Sequence, residues 1–452
     1  MASLDCYYAV GGINFKNGFV TSCPTQHEKF QMLDDEYLPS KFFNNENFKN
    51  HRKKLMSGTW CKGCNMCEHV EQANAGKSMR QEQDVDLQYY NHETGETAFE
   101  GLKTIEMRFS HSCNMSCLHC SQVFSSGWMS KLKKYTPDEE DYKHNLIQLT
   151  GQMHRQDADD DYTISISTAR ALEIVEDLNT NFPNLERVDF AGGEVLYQKQ
   201  FFPTLNKLAE HPNAENMKII FHSNFNADFD AVELSRLLNL FGDVNIQISV
   251  DAGPRLYPYF RQGDWQKLKE NISRFKQADY NHCEINIVYT TGTYQLMEIK
   301  DAMLSFLELD INYINVSIVY TPDYLNPSVM LLKHRNSVLN DIEETRNAIF
   351  GVDKKRRENV DSSRMLKSHF TVGIEKPYDM WQDINSAVAG LEYIRKYILN
   401  YDAKKSDWTD FMKYIEKTDK TLIDVSSYAN GIYIINVTSE NGQVFTKKLI
   451  KN

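Results

Sequence analysis

"LKTIEMRFSHSCNMSCLHCSQ", residues 102–122, runs a strand-like stretch straight into three cysteines, Cys113, Cys117 and Cys120. The spacing Cys-x3-Cys-x2-Cys offers three thiols from one loop. Structural zinc usually takes two ligand pairs from two separate knuckles, and this loop brings no evident fourth ligand. Thiolates are the usual ligands of a [4Fe-4S] cube; three of them fill three irons and leave the last open to a small molecule. A cluster with an open iron can do chemistry as well as carry electrons. On spacing alone, zinc and unliganded thiols stay open as alternatives.

The flanking chain alternates strand and helix. "RVDFAGGEVL" (187–196) is a second strand, ending in Gly192, Gly193 and Glu194. Helical periodicity marks "STARALEIVEDLNTNF" (167–182), with Ser167 or Thr168 as its N-cap, and "QKQFFPTLNKLAEH" (198–211). "MKIIFHSN" (217–224), "VNIQISVD" (244–251), "EINIVYTT" (284–291) and "INYINVSIVY" (311–320) are rich in β-branched residues, with helical segments between them. Six such strands predict parallel βα units curling into an open barrel, a partial (β/α)6 relative of the TIM barrel. In that architecture the C-terminal strand ends carry the site. The cysteine loop, Gly-Gly-Glu, Ser223–Asn224 and Asp251 all fall there.

Composition narrows the class. A chain of 452 residues, 41% of them apolar, has material for two or three domains with a real core. Fifty Lys and Arg against 62 Asp and Glu leave a net charge of −12, which disfavours a surface built to neutralise nucleic-acid phosphates. "MASLDCYYAVGG" has no basic segment followed by an apolar one, and no eighteen apolar residues run together. The expectation is a cytoplasmic protein without membrane contact. Eight of the nine cysteines lie in tight groups and only Cys283 stands alone, a clustering that favours metal over disulfides.

With these motifs, residues 103–320 resemble the radical S-adenosylmethionine enzymes, whose most specific signatures are Cys-x3-Cys-x2-Cys after the first strand and Gly-Gly-Glu after the second. The resemblance implies that Cys113, Cys117 and Cys120 hold the cube and that the amine and carboxylate of S-adenosylmethionine chelate its open iron. It further implies that Gly192 and Gly193 let backbone approach the amine, with Glu194 helping to fix it. By the same resemblance Ser249 contacts the ribose and Arg261, in "YFRQGDW", meets the carboxylate; Ser223, Asn224 and Asp251 join the cofactor-binding set. The implied chemistry is reductive cleavage of the cofactor and hydrogen abstraction from a substrate by the 5'-deoxyadenosyl radical. Two departures stand out. Val195 replaces the proline that often follows Gly-Gly-Glu, and His119 stands where an aromatic is usual before the last cysteine.

Ahead of the barrel, "CYYAVGGINFKNGFVTSC" (6–23) looks like a hairpin with a cysteine at each end and Gly18 in its turn. Its Cys-x11-Gly-x4-Cys spacing resembles the opening half of the auxiliary-cluster domains called twitch and SPASM. "WCKGCNMCEHVEQANAGKSMR" (60–80) then sets Cys61, Cys64 and Cys67 ahead of Glu71, Ser78 and Arg80. The stretch as a whole resembles twitch-type proteins that carry the module first, which implies a second [4Fe-4S] cluster on Cys6, Cys23, Cys64 and Cys67, with Cys61 as an alternative ligand. A zinc site on the same cysteines is the other option. Full ligation makes such a cluster an electron relay or a clamp.

Other features carry less. Cys283, at the start of a strand, is a candidate hydrogen-atom donor, against the simpler reading of a buried small hydrophobe. Tyr257, Tyr259 and Tyr289 are candidates for the cavity lining, and His111 and His222 are expected to support the site without acting in it. The acidic run "QDADDDY" (156–162) reads as a solvated loop. Beyond 320, "PSVMLLKHRNSVLNDIEETRNAIFG" (327–351), "MWQDINSAVAGLEYIRKYILNYD" (380–402) and "WTDFMKYIEKTDKTL" (408–422) have helical periodicity, and "NGIYIINVTSENGQVFTKKLIKN" (430–452) reads as two strands about an Asn441–Gly442 turn. That last stretch also resembles the C-terminal sorting tails of some secreted bacterial proteins.

The expected protein is therefore α/β, with a small α+β iron–sulfur module (1–100), a partial barrel (101–320) and a mostly helical extension ending in a β-hairpin (321–452). Its expected function is a radical S-adenosylmethionine enzyme acting on a peptide or protein, reduced by a flavodoxin- or ferredoxin-type donor. A twitch-type dehydrogenase of a small sugar or alcohol is the alternative within enzymes. A non-catalytic, metal-stabilised binding protein is the alternative outside them.

Overall fold

The computed structural model describes residues 3–451 except 17, 27, 34–35, 73–77, 82, 121–123, 136–164, 279–282, 320–324, 331, 360–381, 401–430 and 439–443. Its main sheet follows from the strand patterns. β4 (Thr104–Met107), β5 (Arg187–Phe190), β6 (Lys218–Ser223), β7 (Asp243–Ser249), β8 (Cys283–Thr291) and β9 (Tyr313–Ile318) pair in parallel, each with the next in sequence. Parallel neighbours require crossovers, and right-handed crossovers taken in sequence order lay every helix on one face of the sheet. A sheet covered on one side only curls away from its helices, so its other face becomes the concave wall of an open barrel.

The pleat sorts the residues between these faces. Val244, Ile246 and Ile248 of β7 are fully buried, whereas Asn245, Gln247 and Ser249 between them are not. Leu268, Ile272 and Phe275 of the helix Trp265–Gln277 are buried in the same apolar core as the first set. That helix starts where Asp264 accepts from the backbone N–H groups of Gln266 (2.8 Å) and Lys267 (3.2 Å). Ser167 caps Thr168–Asn181 in the same way, accepting from Arg170 N at 3.2 Å.

Both ends of the chain extend this unit. Residues Cys6 to Cys23 form more than a free-standing hairpin. A short helix, Tyr7–Gly11, precedes β1 (Gly12–Lys16), which pairs antiparallel with β2 (Phe19–Thr21) and parallel with β4. β2 pairs onward with β3 (Gln31–Met32), giving one sheet of order β3-β2-β1-β4-β5-β6-β7-β8-β9. Ile13 and Phe15 are fully buried in the shared core, so the N-terminal strand supplies both backbone partners and apolar cover to the open edge of β4. At the far edge the helix Gln382–Asn400 packs on β9: Ser386 Oγ accepts from Ile314 N at 2.9 Å, and a Cβ at Gly390 would stand 2.3 Å from Val316. The helix Leu332–Asn359 precedes it, and β10 (Gly431–Thr438) pairs antiparallel with β11 (Val444–Lys451) as a separate sheet. The expected helix at 408–422 and the acidic run at 156–162 lie outside the described residues.

Candidate active site

The cysteine loop leaves β4 and is held by two neighbouring segments. Ser126 Oγ accepts from Cys113 N at 3.0 Å, Trp128 Nε1 donates to Cys117 O at 2.8 Å, and Leu118 N donates to Phe260 O at 2.9 Å. Cys117 is buried and its thiol donates to Arg261 O at 3.6 Å, while Cys113 and Cys120 are half-buried. Burial, then the neighbouring Cys117, pushes the Cys113 thiol up to about 12, and burial likewise raises Cys117. Bare, these thiols are neutral. A metal is what turns them into thiolates.

Gly-Gly-Glu locks onto this loop. Gly193 N donates to Ser110 O (3.1 Å) and Glu194 N to Ser112 O (2.8 Å), drawing the two loops so close that a Cβ at Gly193 would meet Ser112 O at 2.2 Å. Gly192 has φ +114°, which glycine alone adopts without strain, and a Cβ there would reach Ser110 O at 2.5 Å. Both glycines thus serve backbone approach to the cysteine loop itself. Glu194 is fully buried, and its Oε1 accepts from Ser223 Oγ (2.6 Å) and Leu196 N (3.0 Å) while Oε2 accepts from Asn224 N (2.5 Å). Burial raises its carboxyl above the usual range, against these hydrogen bonds, which favour the anion. A carboxylate offers about four acceptor sites, so Oε2 keeps room for one more donor. Asn224 also donates to Asn114 Oδ1 (2.8 Å), and Asn114 to Asn226 O (3.1 Å), fastening the cysteine loop to the end of β6.

A buried ion pair closes the rim. Asp251, with φ +55°, accepts from Arg261 Nη1 at 2.6 Å and from Thr290 N at 2.8 Å, and His119 Nε2 lies 3.4 Å from its carboxylate. Arg261 is expected to face a cofactor carboxylate; within the chain it faces Asp251. Its Nε is buried without a protein partner, which leaves a donor for an external anion. Burial opposes the Arg261 charge, but Cys117 and Asp251 outweigh it. The His119 ring stacks on Phe260 (centroids 5.1 Å, interplanar 11°), filling the place of the usual aromatic, and burial lowers its pKa against the pull of Asp251.

Below the rim the concave wall is polar. Register aligns Asn14, Glu106 and Asp189 and, beyond Ile220, Asn245 and Glu284 in one row, and His222, Gln247 and Asn286 in another. Arg187 grips Asp189 through two bonds (2.8 and 2.6 Å), and Arg108 donates to Glu106. Asn245 Oδ1 accepts from Asn286 Nδ2 at 3.1 Å and from Gln247 Nε2. The surrounding wall lowers the pKa of His222, opposed by Asp189 and Glu106. Ser249 lies on this wall two residues before Asp251. Tyr257 and Tyr289 are fully buried, packing against Trp265 and Phe306 respectively.

The structure does not bring Cys283 to the site. It begins β8, opposite Val244, at the strand end away from the cysteine loop, and its pleat parity matches Ile285 and Ile287 on the helix-covered face. That position fits the buried small hydrophobe.

Four of the N-terminal cysteines pack in one group apart from the barrel site. Cys6, Cys23 and Cys61 are buried together with Tyr8, Ala9 and Leu55, and Cys64 packs against them. Cys6 is pushed up to about 12 by burial first and then by the charges of Cys23, Cys64 and Cys67. Glu71 accepts from Ser78 Oγ (2.5 Å) and Arg80 Nη2 (2.6 Å), and Arg80 Nη1 donates to Asp5 O (2.8 Å), tying the helix Asn65–Gln72 to the segment before Cys6. Sequence reasoning missed Asn114, which lies inside the cysteine motif without being a ligand, and Ser126, Trp128 and His51, which stand outside any motif.

Part of the chain is similar to known proteins. Residues 107–295 match the family model described as the Radical SAM superfamily, and residues 396–452 match a secretion system C-terminal sorting domain. No curated protein matches the chain. Among solved structures it is similar to anSMEcpe with bound AdoMet (16% identity, TM-score 0.36, covering 55% of this chain and 61% of that one). It is also similar to Streptococcus suis SuiB bound to S-adenosylmethionine (14%, 0.35, 70% and 60%) and to the Kitasatospora setae methyltransferase TsrM (12%, 0.31, 50% and 36%). The chain spans about three fifths of the length of the first of these structures, 61% and 60%. The match over 107–295 takes in both the cysteine loop and Gly-Gly-Glu, so this part of the chain is similar to the Radical SAM superfamily.

Proposed function

We infer that the protein modifies a peptide or protein substrate by radical chemistry. The observation that carries this reading is the convergence of the cysteine loop, Glu194 and the Arg261–Asp251 pair at one rim above an amide-bearing wall. Cys113, Cys117 and Cys120 hold the catalytic cluster. The spare acceptor site on Glu194 Oε2 suits the amine of S-adenosylmethionine, and the unpartnered Arg261 Nε suits its carboxylate. Ser249 on the wall below faces the ribose, and Ser223, Asn224 and Asp251 keep these groups in place. When bound, the cluster and S-adenosylmethionine supply one-electron cleavage to methionine and a 5'-deoxyadenosyl radical that takes hydrogen from the substrate. Phe260, Trp128 and Met115 keep water from the loop. Asn245, Gln247 and Asn286 carry amide groups that can donate and accept, as a peptide backbone can, which supports a peptide as the substrate class.

A flavodoxin- or ferredoxin-type protein would deliver the electron, and a second [4Fe-4S] cluster on Cys6, Cys23, Cys64 and Cys67, with Cys61 in reserve, would relay it. Residues 1–100 then act as the cluster module, 101–320 as the barrel and 321–452 as the extension that covers β9. His222, on this wall with its pKa lowered by burial against the pull of Asp189, favours a second reading, since oxidation of a sugar or alcohol needs a base. No helix among the described residues is long and apolar enough to cross a membrane. Thiolate clusters need a reducing compartment, so we place the enzyme in the cytoplasm; the match of residues 396–452 to a sorting domain favours export instead, and cell fractionation separates the two.

The test is iron and sulfide per chain after anaerobic purification, with and without Cys113→Ala/Cys117→Ala/Cys120→Ala, alongside 5'-deoxyadenosine formed after reduction. About eight irons falling to about four, with 5'-deoxyadenosine lost, is expected for two cubes. No 5'-deoxyadenosine from the cluster-loaded wild type would leave a metal-stabilised binding protein.

A further inference from the structure

The N-terminal centre holds more donors than its motif assigns. His51 lies on the helix Glu46–Met56, ten residues ahead of Cys61 and outside any cysteine motif. A ring nitrogen of His51 and the sulfurs of Cys61 and Cys64 all lie within 4.8 Å of one another, the one such group among the described residues. In a tetrahedral site with metal–sulfur bonds of about 2.3 Å, neighbouring donors sit roughly 3.8 Å apart. The observed group is close to that radius, whereas a cube spreads its thiolates over separate corner irons.

Two independent features point to a ligand here. His51 is 5% exposed, and its Nδ1 is buried with no hydrogen-bond partner, a costly state for a ring nitrogen unless something else fills it. Cys61 and Cys64 also sit on a tight turn, Cys64 N donating to Cys61 O at 3.0 Å with Gly63 at φ +89°, and both sulfurs lie in the group with the imidazole. The Cys61 thiol donates to His51 O at 3.8 Å, and the His51 ring lies against Phe30 (4.9 Å between centroids), so the helix carrying the imidazole is already docked on the cysteine turn.

We propose that His51 is a metal ligand of the N-terminal centre, beside Cys61 and Cys64, making it a mixed imidazole–thiolate site for iron or zinc. Both metals accept this donor set. The assignment rests on the reading that the N-terminal cysteines bind metal, and it departs from the four-cysteine ligand set by putting His51 and Cys61 in the shell beside Cys64. It also gives Cys61 a place in the coordination shell, where the spacing alone leaves it spare.

The test uses the full chain with Cys113→Ala/Cys117→Ala/Cys120→Ala, so that any bound metal belongs to the N-terminal centre. Iron, sulfide and zinc are measured per chain, then again after adding His51→Ala or His51→Cys. If the metal is iron, pulsed electron paramagnetic resonance of the reduced centre reads nitrogen coupling; if zinc, cobalt(II) substitution reads the ligand field. His51→Ala is expected to weaken metal retention on the order of tenfold or more and to abolish the nitrogen signal, with His51→Cys restoring retention and shifting the spectrum. Retention of the catalytic cluster by His51→Ala with Cys113, Cys117 and Cys120 intact shows that the fold survives. Full metal retention and an unchanged spectrum in His51→Ala overturn the His51 assignment alone. No metal in the parent variant overturns the second centre itself, and His51 with it.

Discussion

Gly193 shows how little space one residue leaves at this site. A methyl group there would stand 2.2 Å from Ser112 O, which is backbone and cannot swing away. Gly193→Ala is therefore expected to push the cysteine loop out of register and cut iron bound at the catalytic centre by at least half; elemental analysis of a variant that lacks the N-terminal cysteines reads this directly. Asp251 makes a different argument, because it is the carboxylate partner of a buried guanidinium. Asp251→Asn leaves Arg261 with an uncompensated charge, and breaking such a pair costs about 3–5 kcal/mol. Urea unfolding of the metal-free protein should show that loss, and Asp251→Asn/Arg261→Met should recover part of it. The sequence singles out both residues but not that they pair with each other. Asp251 sits after β7 and Arg261 in a turn ten residues later, and only the curl of the barrel faces one toward the other.

At the scale of elements, the helix Gln382–Asn400 tests how the extension is joined to the barrel. Gly390 lets the helix approach β9 so closely that a Cβ would overlap the stiff Val316 side chain. Gly390→Ala should destabilise by about 1–3 kcal/mol through overpacking while leaving metal content unchanged. Val316→Ala in the same chain should relieve the clash, a coupling that a double-mutant cycle measures. The turn after the helix Phe201–Leu208 carries a pH response. His211 is buried with Nε2 2.9 Å from Phe182 O, and its Nδ1 accepts from Asn213 N at 3.0 Å, so it is held as the neutral ring and its pKa is lowered, by burial foremost. The unfolded chain then binds the proton more readily, and stability present above the ordinary histidine range is lost as pH falls through it toward the folded value. His211→Gln should flatten that part of the stability profile, as thermal melts between neutral and mildly acid pH would show. Helix and strand positions here were largely legible, because periods of 3.6 and 2 are local properties; the close approach at Gly390 was not, because it depends on a partner seventy-four positions away.

The molecule as a whole gathers its site from segments that the sequence scatters. The cysteine loop after β4, Gly-Gly-Glu after β5, Ser223 and Asn224 after β6 and Asp251 after β7 meet at one rim because parallel strands in sequence order all present their C-terminal ends together. The alternating strands and helices, the Cys-x3-Cys-x2-Cys loop and Gly-Gly-Glu were readable from the chain alone: each depends on residue type, spacing and short-range periodicity. Three things only the tertiary structure decided. β1 pairs with β4 and so makes the N-terminal segment part of the barrel sheet, since a strand edge accepts any partner that also buries apolar cover. Cys283 falls on the helix-covered face, because its orientation depends on strand parity relative to a wall that the local sequence does not mark. His51 turns toward Cys61 and Cys64 because a helix docks its imidazole there. Local chemistry is written in neighbouring residues, while the partner a buried group finds is set by packing between segments far apart in the chain.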